Sequence, residues 1–453
     1  MKRLHLLALL TVLGSVPALA PAQTNQARLP GWVAEPLSLK DALNIALRQN
    51  ATIRKAQNDL EASQGLVITT RAVALPTVQA TGQIKKSDPN SIENFYNSTQ
   101  SDRNWNTGIQ VVQNIYEGGV LGAALKAARA TKAQALAQYQ TSLADTLLNV
   151  ETAYYDVLLA AQQITVNEAS VTLLQKELDD QQHRFNAGTV PRFNVLQAEV
   201  AVANERPALI KAKNNYRNSK NALSNLLGYD LPREIWEDVP LNLTDNLVAE
   251  PYEVNLPDAI QKALEQRTEL KALRKTRELQ ELNIINAKAG SKPTVSVFAG
   301  YSWKNAQFTP PMALDQVYSG WNAGAQVTWN IFDGAATQGR VIQAKAQYEK
   351  AKTELIDQSR QIELQVRTSY SDFVEAKETL ESQLKVVEEA EEALREARAR
   401  SEAGTGTQLD VLNAETSLTQ ARTTQIQSLH DYATARAKLE RAIGNKFVTK
   451  DGK

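Results

Sequence analysis

Hydrophobic and polar positions along this chain follow two different periods, and they switch between them in the same order twice. Helical spacing predicts a helix over 39–72, alternation predicts strands over 77–87 and 105–115, and helical spacing then returns over 119–185 and 192–227. The second round predicts a helix over 257–289, strands over 294–304 and 321–331, and helices over 335–402 and 408–443. The residues themselves repeat. Leu39 to Lys55 returns as Leu256 to Ala272, Trp105 to Gly119 returns as Trp321 to Ala335, and Ala187 to Glu199 returns as Ala403 to Glu415. Each copy is domain-sized, far longer than a solenoid repeat. Between the copies, Tyr229 to Asn255 is rich in Pro, Asp and Asn, contains Trp236, and reads as an irregular connector.

The longest helices carry narrow heptad seams: Leu147, Val150, Tyr154, Val157, Ala161 and Ile164 in one copy, and Val366, Tyr370, Phe373, Leu380, Leu384 and Val387 in the other. Their remaining surface is polar or small, as expected for helices that pack sideways and keep two faces wet. At about 1.5 Å per residue each would reach about 100 Å. Pro207 falls in mid-helix and is expected to kink or break it.

The strands alternate in a way suited to lipid. Trp321, Ala323, Ala325, Val327, Trp329 and Ile331 share one face, and Asn322, Gly324, Gln326, Thr328 and Asn330 the other. About 11 residues of such dyads is the length and pattern of a transmembrane strand. Trp105, Ile109 and Val111 against Asn106, Gln110 and Asn114 follow suit, as do Val295, Val297, Tyr301 and Trp303 against Ser296, Gly300 and Ser302, with a weaker set at Val78, Ala80 and Ile84. Trp105, Tyr301, Trp303 and Trp321 lie beside the polar loops 88–104 and 305–320, where an interfacial aromatic girdle would sit. Four strands cannot close on themselves, and an open edge in lipid leaves unpaired backbone groups. Oligomerisation is therefore expected, with eight strands from two copies or a wider twelve from three.

Residues 1–22 read as a secretory signal: Lys2 and Arg3, an apolar core from Leu4 to Val16, and Ala20-Pro21-Ala22 before the cut. Without Lys2 and Arg3 the 50 basic residues fall to 48 against 50 acidic, a balance unsuited to nucleic acid. There is no cysteine, so disulfides and a lipidated cysteine are excluded. Hydrophobic content of 43% with a mean hydropathy of −0.37 suits long wetted helices better than a thick core. The histidines, His5, His183 and His430, fit no catalytic or metal motif, and Met1 and Met312 are the only methionines, so neither an enzyme, a cofactor nor a soft-metal relay is indicated.

The paired turns AGTVPRFNVLQAE and AGTGTQLDVLNAE, the L.DAL..AL opening of each copy and the N-I-[YF]-[ED]-G junction resemble the TolC-like outer membrane efflux protein family over most of Leu37 to Gly444. The resemblance implies an α+β membrane protein, a homotrimer in which four strands per chain form a 12-stranded β-barrel continued by a long periplasmic α-helical barrel with an internal two-fold repeat. A mixed equatorial region would hold Pro30 to Pro36, Tyr229 to Asn255 and the tail after Gly444. The division is then signal peptide 1–22, first repeat 23–246 and second repeat 247–453. Such proteins are passive exit ducts of tripartite efflux pumps or type I secretion systems. Their partners are a periplasmic adaptor and an inner-membrane transporter of RND, ABC or MFS type. The alternative is a non-conducting tether or adhesin built on the long helices, and a self-sufficient porin is disfavoured because porins lack such helices.

By the same resemblance, Gly188-Thr189 and Gly404-Thr405 would form the hairpin tips that meet the adaptor, or serve simply as helix–helix turns. Asp410 would point into the periplasmic mouth, where threefold repetition makes a carboxylate ring that favours cations and raises the pKa of its members; the alternative is a solvated aspartate at a helix start. The family often has a second acid one turn on, where this chain has Asn413, and the first-copy equivalents are Asn194 and Gln197. At the positions of the family's charged lock this chain has Ser401, Gly406 and Asn194, so the resting mouth is expected to be closed mainly by helix packing, with a pair between Arg192 and Asp410 as the alternative.

Overall fold

A computed structural model of the chain describes residues 36–92, 99–229, 239–306, 308–309 and 316–444. The expected signal segment, residues 30–35, Trp236 and the tail after Gly444 lie outside the described residues. In the first copy come β1 (Pro36–Leu37), α1 (Leu39–Gln49), α2 (Ala51–Ala72), β2 (Thr77–Lys86), β3 (Thr99–Gln100), β4 (Arg103–Glu117), α3 (Val120–Asn186) and α4 (Arg192–Leu226). In the second come β5 (Asn242–Leu243), α5 (Leu256–Gln266), α6 (Thr268–Ala289), β6 (Thr294–Asn305), β7 (Phe308–Thr309), β8 (Val317–Thr328), α7 (Ala336–Glu402) and α8 (Gln408–Ile443). Helix lengths match in pairs, 11 residues for α1 and α5, 22 for α2 and α6, and 67 for α3 and α7, so the sequence repeat is a repeat of structure.

Each copy opens with two helices where the spacing predicts one. The first break falls at Asn50, whose side-chain oxygen accepts from the N–H groups of Thr52 and Ile53 while its amide donates to the Leu226 carbonyl at 2.7 Å. The second falls at the equivalent Arg267, whose guanidinium reaches the Ala442 carbonyl, Gln365 and Glu269. Both breaks are thus tied to the far end of the copy's last helix, a contact that helical periodicity does not encode. Gly228 lies at φ 78° against the first break, where an added Cβ would meet the Gln49 carbonyl at 2.6 Å. Arg441 completes the second, donating to Asp145 and Glu269, so one network joins α3, α5–α6 and α8.

Two cores form the waist of the molecule. Leu37, Ala42, Ala46, Val150, Tyr154, Val157, Leu223 and Leu227 pack with Val239, Leu241 and Leu247 of the connector. Ala259, Ala263, Leu270, Ile362, Val366, Phe373, Tyr432 and Leu439 form the second. The heptad seam is correct where it meets these cores. Leu384, however, is 51% exposed, because the buried columns run through Val366, Phe373, Leu380 and Leu394 and through Ile362 and Ala376, and Leu384 stands one column over. At Pro207 helix α4 runs on unbroken. The bond lost there frees the carbonyl of Ala203 on an exposed face, where water can satisfy it.

The main sheet has the order β2-β4-β6-β8, antiparallel throughout, with β2 and β8 as its edges. β8 starts four residues earlier than the alternation predicts, at Val317, and stops at Thr328, leaving Trp329 and Ile331 outside it. Its partner β6 begins at Thr294, directly after Pro293, so no ladder partner exists beyond the Thr294–Thr328 pair. The copies also differ at the strand-to-helix turn. Gly118 and Gly119 take φ 61° and 101°, whereas the equivalents Gly334 and Ala335 take 66° and 67°, which places a Cβ in the left-handed region at Ala335.

Replacing Ala335 with Gly, the residue its counterpart already is, should stabilise the protein by about 1 kcal/mol, read as a higher thermal midpoint by circular dichroism. Glu269 supplies a second prediction. Burial alone would raise its pKa, but Arg267 and Arg441 outweigh burial and hold it at about 2, below the ordinary 4.5. Its contribution is therefore complete above pH 4.5 and is lost as the pH falls through about 2. Glu269→Gln should cost about 3–5 kcal/mol at neutral pH by leaving two guanidinium groups short of a carboxylate. That difference should close on acidification across the same window.

Candidate channel wall and hairpin tips

Strand register decides whether the alternation of single strands adds up to a face. Directly paired residues point the same way, and the pairs align Val78 with Val111, Ala299 and Ala323, then Ala80 with Ile109, Tyr301 and Trp321. The opposite face aligns Gln79 with Gln110, Gly300 and Asn322, then Thr81 with Gly108, Ser302 and Gly320. One side is thus mainly apolar, interrupted by Thr107 and Ser319, and the other mainly polar or bare, interrupted by Val112 and Phe298. Within one chain the apolar side is uncovered, with Trp321 at 79% exposure and Ile84 at 88%. Of the expected girdle, Tyr301 and Trp303 stack with ring centroids 4.7 Å apart, Tyr301 pairs with Trp321, and the Trp105 backbone N–H donates to Asn305 two rungs further up. The four aromatics gather at the end of the sheet remote from the long helices. A further apolar group at the helix end holds Trp329 and Ile331, which the alternation placed on the apolar face, with Phe332 and Leu75, which sequence reasoning missed; all four are exposed.

At the other extreme of the molecule the two tips are near copies. Gly188 and Gly404 take φ 75° and 74°, and nothing lies within 4 Å of a Cβ built on either, so the dihedral alone demands glycine. Thr189 donates its N–H to the Arg184 carbonyl at 2.9 Å, and Thr405 donates to the Arg400 carbonyl at 2.9 Å, each with its hydroxyl on the same oxygen. The threonines thereby close carbonyls that the helix ends leave open. The tips stand side by side, with a groove of about 720 Å³ lined by Thr189, Asn194 and Gln197 from one and Ser401, Gly404, Gly406 and Gln408 from the other.

Asp410 sits in the first turn of α8, and its carboxylate folds back on Thr407, accepting from the backbone N–H at 2.9 Å and the hydroxyl at 2.7 Å. Those two bonds, with Arg400 nearby, hold its pKa below the ordinary value. Within one chain the direction is opposite to the rise expected of a carboxylate ring. Its cationic neighbour is Arg400, and Arg192, at the start of α4, is not brought to it. Asp410 and Asn413 are both exposed on one side of α8.

A seam between α3 and α8 was not legible in advance. It joins the two copies by Arg441 on Asp145, by His430 on Asp156 at 2.8 Å, and by Thr419 on Ser170 at 3.2 Å. Below these, Glu415 is 2% exposed and accepts from Arg398 of α7 at 2.9 Å, and Gln181, also buried, donates to Glu177. Glu415 was visible only as the last letter of the VL.AE motif. Its first-copy equivalent, Glu199, is exposed, so the motif carries no signal of burial.

A sheet apolar on one face and polar on the other, continued by helical hairpins of mostly polar surface, is the make-up of a channel-forming outer membrane protein. The chain belongs to the outer membrane efflux protein family, whose model matches residues 42–229 and 259–445, one stretch in each copy. It is 25% identical over 426 residues to the outer membrane protein TolC of Escherichia coli K12, covering 90% of this chain and 83% of that protein. It is also 25% identical over 454 residues to the cobalt-zinc-cadmium resistance protein CzcC of Cupriavidus metallidurans, covering 98% of this chain and all of that one. The crystal structure of VceC from Vibrio cholerae superposes with a TM-score of 0.76 at 20% identity, covering 90% of this chain and 97% of that one. The chain is an outer membrane channel of the efflux and type I secretion class.

Because the chain has no cysteine, Ser170→Cys with Thr419→Cys introduces a single pair across the seam. Oxidation should form an intramolecular disulfide, seen as a reducible mobility shift in denaturing gels. Failure to cross-link would show that α3 and α8 do not face each other there.

Proposed function

We propose that three copies of this chain build the exit duct of a tripartite efflux or secretion assembly, running from the periplasm through the outer membrane. The observation that carries this reading is the four-stranded sheet itself. One face is mainly apolar, the other is mainly polar, and both of its edges are unpaired within the chain. Sister copies supply the missing ladder partners, and twelve strands leave a lumen wide enough for water and solutes. The polar strand face, with Gln79, Gln110, Asn322 and Lys304, then lines the pore, and the girdle residues Trp105, Tyr301, Trp303 and Trp321 meet the headgroups. The 67-residue helices carry the path about 100 Å further. Exposed Phe193, Leu196 and Val200, one turn apart or two along α4, give each hairpin an apolar edge for its neighbour.

In this assembly the Gly188-Thr189 and Gly404-Thr405 tips face a periplasmic adaptor driven by an inner-membrane transporter, and substrate choice rests with the transporter. Three Asp410 carboxylates come together at the mouth, with Asn413 beside each, while Asn194, Gln197 and Arg192 flank them on the first hairpin. The Thr407 cap favours the charged form of each aspartate, so the ring stays anionic against the mutual repulsion of its members. A tether would share the helices but has no use for a pore-lining strand face.

Purified protein in planar lipid bilayers should give discrete conducting events with a preference for cations, and silent bilayers would overturn the duct. Asp410→Asn keeps a side-chain acceptor for the cap while removing the charge. It should shift the reversal potential in a salt gradient toward zero without loss of helical content.

A further inference from the structure

Among the contacts that join α8 to α3, one depends on a proton. The His430 ring stands between two carboxylates: Nε2 lies 2.8 Å from Oδ1 of Asp156 on α3, and Nδ1 lies 3.0 Å from Oδ1 of Asp431 on its own helix. A neutral imidazole carries a single N–H, so it can donate to one of the two and must turn a lone pair toward the other. A carboxylate has no proton to offer that lone pair. Both contacts are hydrogen bonds only when the ring is the doubly protonated cation. The ring is 12% exposed, whereas both carboxylates stand more than half in water, and Gln427 donates to the same Asp431 oxygen at 2.8 Å and holds it beside the ring. One other group reaches the ring, the Thr434 hydroxyl at 3.5 Å from Nε2. A neutral ring can therefore keep Asp431 through Nδ1 and take Thr434 as a donor at Nε2. The bond it then loses is the one to the other copy.

We propose that His430 is a proton-held staple between the two copies: as an imidazolium it ties α8 to α3 through Asp156, and as a neutral ring it keeps Asp431, turns Nε2 to the Thr434 hydroxyl and lets α3 go. The device occurs once per chain, since the equivalent residue of the first copy is Asn214, which is exposed and does not titrate. The surrounding charges favour the cation. On the α4 side of Asp156 the groove is lined by Asn215, Asn218 and Ser219, none of them charged. On the α7 side of Asp431 it holds Asp372 and Glu375 against the single cation Lys438. Arg436, further along α8, is already engaged by Glu250 and Glu440. Burial opposes the charge on the ring, but the bonds to Asp156 and Asp431 outweigh it and hold the proton above the ordinary 6.5. Linkage gives the sign: the contribution of the staple is complete below pH 6.5 and is lost as the pH rises through the raised value.

The staple needs neither the pore nor the trimer, and its test is separate from theirs. His5→Gln with His183→Gln leaves His430 as the only histidine of the chain, so nitrogen-15 labelling of histidine reads this ring alone. In the folded protein both ring nitrogens should carry a proton at pH 7, and Asp156→Asn should lower the pH at which the second proton leaves. In the same background His430→Gln should lower the thermal midpoint by about 1–2 °C at pH 6 and leave it unchanged at pH 9. Comparison at equal pH cancels the titration of every other group. Asp156→Asn should cost nothing further once His430→Gln is present, because the two share one bond. Should His430→Gln fail to assemble, Asp156→Asn alone carries the same pH-dependent loss from the α3 side. A ring that is neutral at pH 7 would overturn the staple, as would a midpoint difference that stays constant from pH 6 to pH 9. Silent bilayers beside a charged ring would uphold the staple and reject the duct.

Discussion

The unpaired edge of the β-sheet is the constraint on which the rest of the molecule depends. Each backbone N–H and C=O left without a partner in hydrocarbon costs several kcal/mol, and β2 and β8 each present a row of them. No rearrangement within the chain removes that cost, because four strands make only half of an eight-stranded cylinder or a third of a twelve-stranded one. On the duct reading, association is thus a condition of the chain's stability in lipid and not an addition to a finished fold. The apolar face argues the same way. A soluble sandwich would bury Trp321 and Ile84 against a second sheet, and among the described residues no second sheet covers them.

Internal repetition then explains why the helices take the form they do. Each copy supplies half of the sheet, one 67-residue helix and a shorter returning helix, and each anchors the return at its own waist through a broken helix, at Asn50 or at Arg267. The two anchors use different chemistry at equivalent positions. Asn50 caps a helix and holds one carbonyl, whereas Arg267 holds a carbonyl and recruits Glu269 and, through it, Arg441. The second copy is therefore bound across to the first by charge, through Arg441 on Asp145. The architecture is identical and the wiring unequal.

Most of the fold was legible from residue spacing, and the reasons for the exceptions are specific. Long amphipathic helices and alternating strands announce themselves because dozens of positions report the same period, and their limits fell within a few residues of expectation. The helix breaks at Asn50 and Arg267 did not, since each depends on a carbonyl about 175 residues away in sequence. The end of β8 depends on where its partner starts, and Leu384 depends on which of two adjacent columns the neighbouring helix faces. At the tips the glycines were readable, because a left-handed residue has few alternatives, and Asp410 was read as an aspartate at a helix start, though its capping box with Thr407 emerged only in the structure. The burial of Glu415 was not, because Glu199 sits in the same motif and stays in water.

That last contrast bears on how a passive channel keeps its mouth shut. A closure made only of apolar packing is indifferent to conditions and can be opened only by a partner that offers better packing. Closure through charged rungs is different, because its strength depends on which groups carry charge and on how far solvent reaches them. Along α3 and α8 the polar rungs, Arg441 with Asp145, His430 with Asp156 and Thr419 with Ser170, lie on the waist side, and toward the tips Leu173 packs against the cluster of Leu394, Val411 and Leu418. Asp410, bound to its own cap, adds charge at the entrance without adding to that grip. On the duct reading, an opening confined to the periplasmic end parts the hairpin ends while the waist holds.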